Sequence, residues 1–317
     1  QPDHTRIRKY TQDGFNARRM NMLDPYIREG CEKLIDDMLA GGGPVEFVSA
    51  FAHPLPGQII FRFIGFPEAD DAQLIDWTSN RLRFTWGKPS DEEQVDIAKN
   101  MLKYWRYCRA FVASRMENPA DDLTSELLAA HMENPNDLSY REVESVIYGL
   151  SFAGHEIVSN FIALSLLNIL PNRDQWSALC KDQGLITNAL EEVLRADSPQ
   201  TSWRRIATRD TQIAGIDIPA GTQVLVSIGA ANHAPEIFDK PSEVDIYRKN
   251  VNKHISFGHG IHFCLGARLA RLEGRIAMEA LTRRIPSLRL VANQQLEFAP
   301  NITFRGPVEL YVEWSGV

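Results

Sequence analysis

The stretch that decides the fold is Phe257-Gly258-His259-Gly260-Ile261-His262-Phe263-Cys264-Leu265-Gly266. Its three glycines surround a single cysteine and allow backbone turns that residues with a side chain accept poorly. Directly after it, the apolar periodicity predicts an amphipathic helix from about Ala267 to Arg284. Cys264 therefore lies at a helix N-terminus, where the helix dipole and free amide groups favour thiolate over thiol. Such a thiolate acts as a nucleophile or as a metal ligand.

The context of this cysteine favours the metal ligand. No cysteine-protease or redox signature surrounds Cys264, and no second cysteine lies near it. A single thiolate cannot form a zinc site by itself, although His259 and His262 are close in sequence. A porphyrin removes this difficulty because it supplies the remaining ligands of an iron ion.

The pattern Phe-Gly-x-Gly-x-x-x-Cys-x-Gly resembles the heme-binding loop of the cytochrome P-450 family. The resemblance implies that Cys264 is the axial ligand of the iron in heme b, with Gly258 and Gly266 in the cofactor-binding loop. It also implies that Phe257 packs against the cysteine side of the macrocycle. The similarity extends from His4 to Trp314, and we expect the N-terminal segment of a usual member to be missing.

A second segment, Glu192-Val193-Leu194-Arg195, places opposite charges three residues apart on one helix face. It resembles the ExxR motif of the same family, and it precedes a block of strands and the cysteine loop, in the family's order. The resemblance implies that a later arginine, here Arg248, joins this pair. The role it implies is structural, since the three residues brace the heme-side core.

Heme propionates are acidic, and burying them requires charged or hydrogen-bonding partners. His4 and Arg8 lie four residues apart on one predicted helix face and resemble the His-x-x-x-Arg propionate contacts of the family. Arg205 and His254 match two further contacts. The resemblance therefore implies a cage of four residues around the propionates.

The longest apolar stretch predicts a central helix. Ser139 and Glu142 form a capping box at its start, the apolar pattern continues to Leu170, and Pro171 stops it. Polar residues interrupt the stretch, so we expect a core helix rather than a membrane span. The resemblance places this long helix over the heme.

Within that helix, Ala153-Gly154-His155-Glu156-Ile157 interrupts the apolar run with a glycine and an acid. It resembles the family's Ala-Gly-x-Glu-Thr oxygen-binding motif, which implies catalytic roles for Ala153, Gly154, Glu156 and position 157. The threonine of the motif helps to deliver protons during oxygen activation, whereas Ile157 has no hydrogen-bond donor. The proton route therefore departs from that of the family.

Several functions are compatible with this departure. In the favoured one, substrate or ordered water replaces the hydroxyl, and the enzyme is a monooxygenase that hydroxylates or dealkylates a small organic molecule. In the second, the enzyme uses peroxide or catalyses a reaction without dioxygen. In the third, Ile157 is a packing variation that increases wasteful peroxide release. A heme carrier or sensor without turnover is disfavoured, because a carrier has no need of a buried acid over the iron.

The whole chain is predicted to form one mainly α-helical domain over residues 1–317, with small antiparallel β-sheets and the cytochrome P-450 fold. Its formal charge is −7, and Lys and Arg are scattered among acids, which argues against a nucleic-acid partner. The four cysteines show no disulfide framework and fit a reducing cytoplasm. No membrane partner is indicated.

The resemblance also implies a substrate pocket and an electron donor. The pocket residues it suggests are Leu150, Thr201, Trp203, Thr303 and Phe304, with Phe84 and Trp86 as further candidates. A basic face on the cysteine side would attract an acidic ferredoxin or flavodoxin-type donor, separate or fused. The residues expected on that face are Arg6, Lys9, Arg268 and Arg271.

Overall fold

The computed structural model of the chain describes residues 2–79, 84–85 and 87–316. Helices dominate these residues, and the predicted fold class is confirmed. The α-helices are α1 Pro2–Gly14, α2 Ala17–Gly41, α3 Pro54–Ile64, α4 Asp71–Thr78, α5 Asp91–Glu117, α6 Leu123–Glu133, α7 Tyr140–Ala153, α8 Glu156–Ile169, α9 Arg173–Lys181, α10 Ile186–Ala196, α11 Ile228–Ala231 and α12 Ala267–Arg284. A π-helix covers Val48–Ala52, and 3-10 turns cover Glu68–Asp70, Gln183–Leu185, Val251–Lys253 and Gly260–His262.

The strands are short, and all of those described pair antiparallel. They are β1 Val45–Glu46, β2 Ser202–Ile206, β3 Thr211–Ile213, β4 Ile216–Ile218, β5 Gln223–Ser227, β6 Arg289–Leu290 and β7 Tyr311–Glu313. Among the described residues, their sheets have the orders β1-β7-β6, β2-β5 and β3-β4. In the second sheet, Trp203 pairs with Val226 and Arg205 with Val224. This register places alternate residues of β2 on opposite faces of the sheet.

Helices α2 and α12 pack together in the core. Ile27, Cys31 and Ile35 follow one face of α2 at a spacing of four and have 0% exposure. Ala277 and Leu281 are equally buried on α12. Burying a large aliphatic side chain contributes about 1.5–3 kcal/mol. This packing fixes the position of α12, and with it the cysteine loop that leads into the helix.

The central helix begins as predicted but is not continuous. The Ser139 hydroxyl accepts a hydrogen bond from the Glu142 amide, and the Glu142 carboxylate accepts one from the Ser139 amide, which completes the capping box. However, α7 ends at Ala153 and α8 begins at Glu156. The predicted central helix therefore spans Tyr140–Ile169, with an interruption at Gly154 and His155.

Two neighbours of the break explain it. A Cβ atom on Gly154 would lie 2.5 Å from the side chain of Ile60 on α3, so the chains approach closely at this point. The His155 amide bonds to the Phe152 carbonyl at 3.4 Å, three residues back instead of four. Within the described chain, no backbone amide donates to the Gly154 carbonyl. The helical ladder is thus interrupted at the oxygen-binding motif.

Length and composition alone would allow Tyr140–Ile169 to cross a membrane. However, 61% of its apolar window is buried inside the protein, which is the pattern of a core helix. The α7 and α8 pair therefore forms part of the interior.

Candidate functional site

The cysteine loop has the backbone that its glycines suggest. Gly258 and Gly260 adopt φ values of +75° and +69°, in the left-handed region that favours glycine. The Cys264 amide then donates a hydrogen bond of 2.8 Å to the Phe257 carbonyl, which closes the loop. Gly266 is the N-cap of α12. Cys264 is exposed, whereas Cys31 and Cys108 are buried.

The surroundings of the Cys264 sulfur act on its ionisation in both directions. The atoms packed around the sulfur raise the pKa of the thiol, although the residue as a whole is exposed. The amides of Gly266 and Ala267 and the charges of Arg8 and Arg271 oppose this effect. These two amides and two arginines favour the thiolate, the form that binds a metal, although the net effect of the surroundings is a raised pKa of the thiol.

A cationic cluster lies beside the loop. The rings of His4 and His262 are 4.3 Å apart, and the Arg8 guanidinium donates to the Phe263 carbonyl. Desolvation, followed by His4, Arg205 and Arg8, lowers the pKa of His262, which indicates that these groups are near one another. Among the described residues, the buried Nδ1 of His4 has no hydrogen-bond partner. The cluster is suited to bind an anion.

The structure gives His254 a different partner from the one expected. Its Nε2 lies 2.9 Å from a Glu191 carboxylate oxygen, and its Nδ1 accepts from the Ser256 amide at 3.1 Å. With both ring nitrogens engaged, His254 has no donor left for a propionate. His262 stands with His4, Arg8 and Arg205 instead. Its place two residues before Cys264 was the signal that the sequence analysis missed.

Glu192, Arg195 and Arg248 form the expected buried ion-pair network. Arg195 binds the Glu192 carboxylate through two bonds of 2.8 Å, and Arg248 Nε lies 2.9 Å from each oxygen of the same carboxylate. Glu192 and Arg195 have 0% exposure. Further bonds from Arg195 to the Asn232 and Pro241 carbonyls hold the following meander. The network thus links α10 to the segment before the cysteine loop.

The helix break presents an acid without a partner. Burial raises the pKa of Glu156 to about 8, and its Oε2 atom is buried without a hydrogen bond in the described structure. Ala153 is exposed, and Gly154, Glu156 and Ile157 are half-buried, whereas Ser151, Phe152, Val158 and Ser159 on either side are buried. The break therefore faces an accessible space. Glu156 can hold a proton there at neutral pH.

His155 is fixed on the other side of the break. It has 0% exposure, its Nδ1 lies 2.7 Å from the Thr78 hydroxyl, and its Nε2 lies 2.9 Å from the His53 carbonyl. Because a carbonyl oxygen can only accept, Nε2 donates the hydrogen bond to His53. Burial lowers its pKa to about 3. Gly57 leaves room for the ring, since a Cβ there would lie 3.1 Å from Nε2.

Comparison with known proteins agrees with this geometry. The family model for cytochrome P-450 matches residues 71–285. The chain belongs to the cytochrome P-450 family. It is 37% identical to the biotin biosynthesis cytochrome P-450 of Bacillus subtilis (strain 168), over 99% of this chain and 78% of that protein. It is also 36% identical to the vitamin D(3) 25-hydroxylase of Pseudonocardia autotrophica, over 96% of this chain and 74% of that protein.

Solved structures give the same result. Cytochrome P-450 CREJ in complex with (4-ethylphenyl) dihydrogen phosphate matches with a TM-score of 0.95 and 38% identity, over 99% of this chain and 78% of that one. An intact type IV self-sufficient cytochrome P-450 monooxygenase matches with a TM-score of 0.95 and 31% identity. This chain covers 41% of that protein. The protein is accordingly a heme-thiolate oxidoreductase of the monooxygenase type, and its cofactor is heme b.

The residues of this cytochrome P-450 fit its cofactor. An exposed cysteine follows a glycine-stabilised loop, and Phe263 beside it keeps 42% of its surface exposed. The orphaned Nδ1 of His4 adjoins the cationic cluster, where a carboxylate would satisfy it. At the helix break, the Oε2 atom of Glu156 is a second buried polar atom without a partner in the described structure. An apolar surface with an anion site at one edge is what a heme with two propionates requires.

The predicted pocket residues of this cytochrome P-450 fall into two groups. Thr201, Trp203, Thr303 and Phe304 are linked across two segments: the Thr201 amide donates to the Thr303 carbonyl at 2.7 Å, and the rings of Trp203 and Phe304 lie 6.1 Å apart, edge to face. The buried Thr303 hydroxyl has no partner among the described residues. Leu150 stands apart from these on α7, and it is half-buried. Phe84 is 40% exposed, and Trp86 lies outside the described residues.

The predicted basic face is less positive than its sequence suggests. Arg6 binds Glu142 at 2.6 Å, and Arg271 binds Glu191 at 2.6 Å. Each carboxylate cancels one of the expected charges. Lys9 and Arg268 are the other predicted members of this face, and Arg8 adds a further positive charge beside the loop.

Proposed function

We propose that this cytochrome P-450 hydroxylates or dealkylates a small organic substrate with dioxygen and electrons from a ferredoxin or flavodoxin-type donor. The observation that carries the proposal is Glu156, a half-buried acid at the helix break whose Oε2 atom is buried without a hydrogen bond in the described structure. A protein that only stored heme would gain nothing from this acid, because burying an unpartnered carboxyl group costs stability. The comparisons support the same chemistry, since two of the relatives are named as hydroxylases.

Each side of the site has its own task. When heme is bound to Cys264, it supplies the oxidising chemistry that the protein alone lacks. His4, Arg8, Arg205 and His262 would hold the propionates. The loop amides and the α12 N-terminus stabilise the negative charge of Cys264.

On the opposite side, Glu156 holds the proton and can release it from its carboxyl group. Because Ile157 has no donor, a hydroxyl from water or from the substrate has to bridge this acid and the substrate space. The Gly154 carbonyl, which receives no backbone amide in the described chain, offers such a hydroxyl an acceptor. The helix break therefore offers a binding position for a water or substrate hydroxyl, which would take the part of the missing threonine hydroxyl.

The substrate space is bordered by aromatic side chains. Trp203 and Phe304 supply apolar contact area. These rings favour a small, largely apolar substrate. We further propose that residues 1–317 act as one catalytic domain in the cytoplasm.

The decisive experiment is turnover of the heme-loaded protein across a library of small aromatic compounds. Dioxygen with ferredoxin, ferredoxin reductase and NADPH forms one arm, and hydrogen peroxide alone forms the other. Product formation in the first arm, proportional to electrons consumed, is the expected result. Product in the peroxide arm alone would favour the second candidate function, a peroxide-driven enzyme. The observation that favours this function is Ile157, which stands where the family motif has threonine. No product in either arm would contradict both.

A further inference from the structure

A second ion cluster lies on the cysteine side, outside the groups assigned above. We call it the Glu191 cluster, and it consists of Glu191, His254 and Arg271. Arg271 binds the two Glu191 oxygens through Nε at 2.6 Å and Nη2 at 2.8 Å, and His254 Nε2 lies 2.9 Å from one of them. Burial opposes ionisation of Glu191, but these bonds outweigh it and lower its pKa to about 2. A forked pair of this kind holds the guanidinium in one orientation.

The cluster is connected to the axial cysteine by direct contacts. The Arg271 guanidinium lies 4.4 Å from the centre of the Phe257 ring, within the range of a cation–π interaction. The Phe257 carbonyl in turn accepts the hydrogen bond from the Cys264 amide at 2.8 Å. The position of Arg271 is therefore coupled to the loop that carries the ligand.

A neighbouring arginine shows that an ion pair on this helix need not reach the loop. Arg275 follows Arg271 by one turn of α12, its side chain is 34% exposed against 38%, and it binds Glu279 at 2.6 Å. It also lies 3.6 Å from Asp24 on α2. Its contacts tie two helices together at the surface. Arg271 differs because its guanidinium rests on an aromatic ring of the cysteine loop.

We propose that Arg271 is a positioning residue that sets the reduction potential of the heme iron, by holding a fixed positive charge beside the Cys264 thiolate. Glu191 and His254 hold Arg271 in place, and the inference rests on the proposed ligation by Cys264. A positive charge stabilises the thiolate and weakens its electron donation, so the iron accepts one electron from its donor more readily. The Arg271–Glu191 ion pair, which cancels one charge of the predicted basic face, thus also fixes the position of Arg271 beside the cysteine loop.

The test is a spectroelectrochemical titration of the heme-loaded protein. Arg271→Gln is expected to shift the one-electron equilibrium roughly threefold to tenfold toward oxidised iron, which is about 30 to 60 mV. Arg271→Lys is expected to give a smaller shift in the same direction, because an ammonium group cannot form the fork and is more strongly hydrated. Arg275→Gln and Arg275→Lys are the matched controls and should keep the wild-type potential.

Two outcomes separate this inference from the function on which it rests. If Arg271→Gln and Arg275→Gln have the same potential, the role of Arg271 is overturned while the ligation by Cys264 stands. If the wild-type protein, reduced and bound to carbon monoxide, lacks the red-shifted Soret band of a thiolate ligand, the ligation itself fails. Should Arg271→Gln not fold, Arg271→Lys replaces it. A potential equal to that of Arg275→Lys would then overturn the proposal.

Discussion

The two sides of the site are built in opposite ways. On the cysteine side, the buried acids are paired: Glu192 binds two arginines and Glu191 binds Arg271. The Cys264 amide is also bonded, to a carbonyl. On the side of the helix break, Glu156 has an unpartnered oxygen and the Gly154 carbonyl lacks its helical donor in the described chain. Paired groups hold one geometry, whereas unpartnered groups need a ligand or water to complete them. The first side therefore holds the cofactor, and the second side adapts to what binds.

The largest expected effect comes from removing the sulfur ligand on the cysteine side. Cys264→Ala is expected to abolish the thiolate-type Soret band of the reduced, carbon-monoxide-bound protein completely. The measurement is the difference spectrum at equal heme content. Cys180→Ala is the control, because Cys180 is half-buried on α9 and away from the loop. A red-shifted band retained in Cys264→Ala would refute the assignment of the axial ligand.

The next largest effect concerns the paired side. Glu192→Gln leaves Arg195 and Arg248 buried without their counter-charge, and breaking a buried ion pair in this way costs about 3–5 kcal/mol. The free energy of unfolding in urea and the heme content of the purified protein are the measurements. Glu243→Gln is the control, since its pair with Lys240 is exposed on both sides. Its expected cost is below about 1 kcal/mol.

If Glu192→Gln folds and loads heme like the wild type, the paired side is not the rigid half of the site. A double variant, Glu192→Gln with Arg248→Met, sharpens the result, because it removes one of the two uncompensated charges. We expect it to recover part of the lost stability.

On the break side, Ile157→Thr is expected to raise the product formed per electron consumed, by roughly tenfold at most. A general acid or its relay contributes typically 10²–10⁴-fold, and Glu156 remains in place to provide part of this. Product and NADPH consumption, measured together, give the ratio. Ile157→Val is the control, because it changes the volume without adding a hydroxyl. A lower ratio in the threonine variant would mean that isoleucine is an adaptation to a substrate that brings its own hydroxyl.

The paired side was also the side that could be predicted from the sequence. Short motifs determine it, because Glu192 and Arg195 are three residues apart and Cys264 follows fixed glycines. The break could not be predicted in the same way, since it depends on Ile60 and Thr78, which lie far from Gly154 and His155 in sequence. His254 was assigned to the propionates because no local pattern indicates its bond to Glu191. The helix break and the partner of His254 are both determined by contacts between segments that are distant in sequence, and short motifs do not contain this information.

The smallest expected effect tests whether His155 fixes the break. The pKa of its ring is lowered from 6.5 to about 3 in the folded protein, so between these values the unfolded chain binds more protons than the folded one. Stability should therefore be fully present above about pH 6.5 and should fall as the pH drops below it, by about 1 kcal/mol per pH unit. Urea unfolding from pH 7 to pH 5 measures the slope. His155→Gln, which cannot titrate, should lose that part of the slope.

The control for that slope is His131→Gln. His131 is half-buried, and the hydrogen bond described for its ring joins Nδ1 to the Leu138 carbonyl. It should keep the wild-type dependence. If His155→Gln keeps it too, the pH response belongs to other groups and the ring does not control the break. If instead the slope disappears while the Soret spectrum is unchanged, the two sides of the site are energetically independent. That result would mean that only the helix break changes its protonation and geometry, while the geometry of the cysteine side stays fixed.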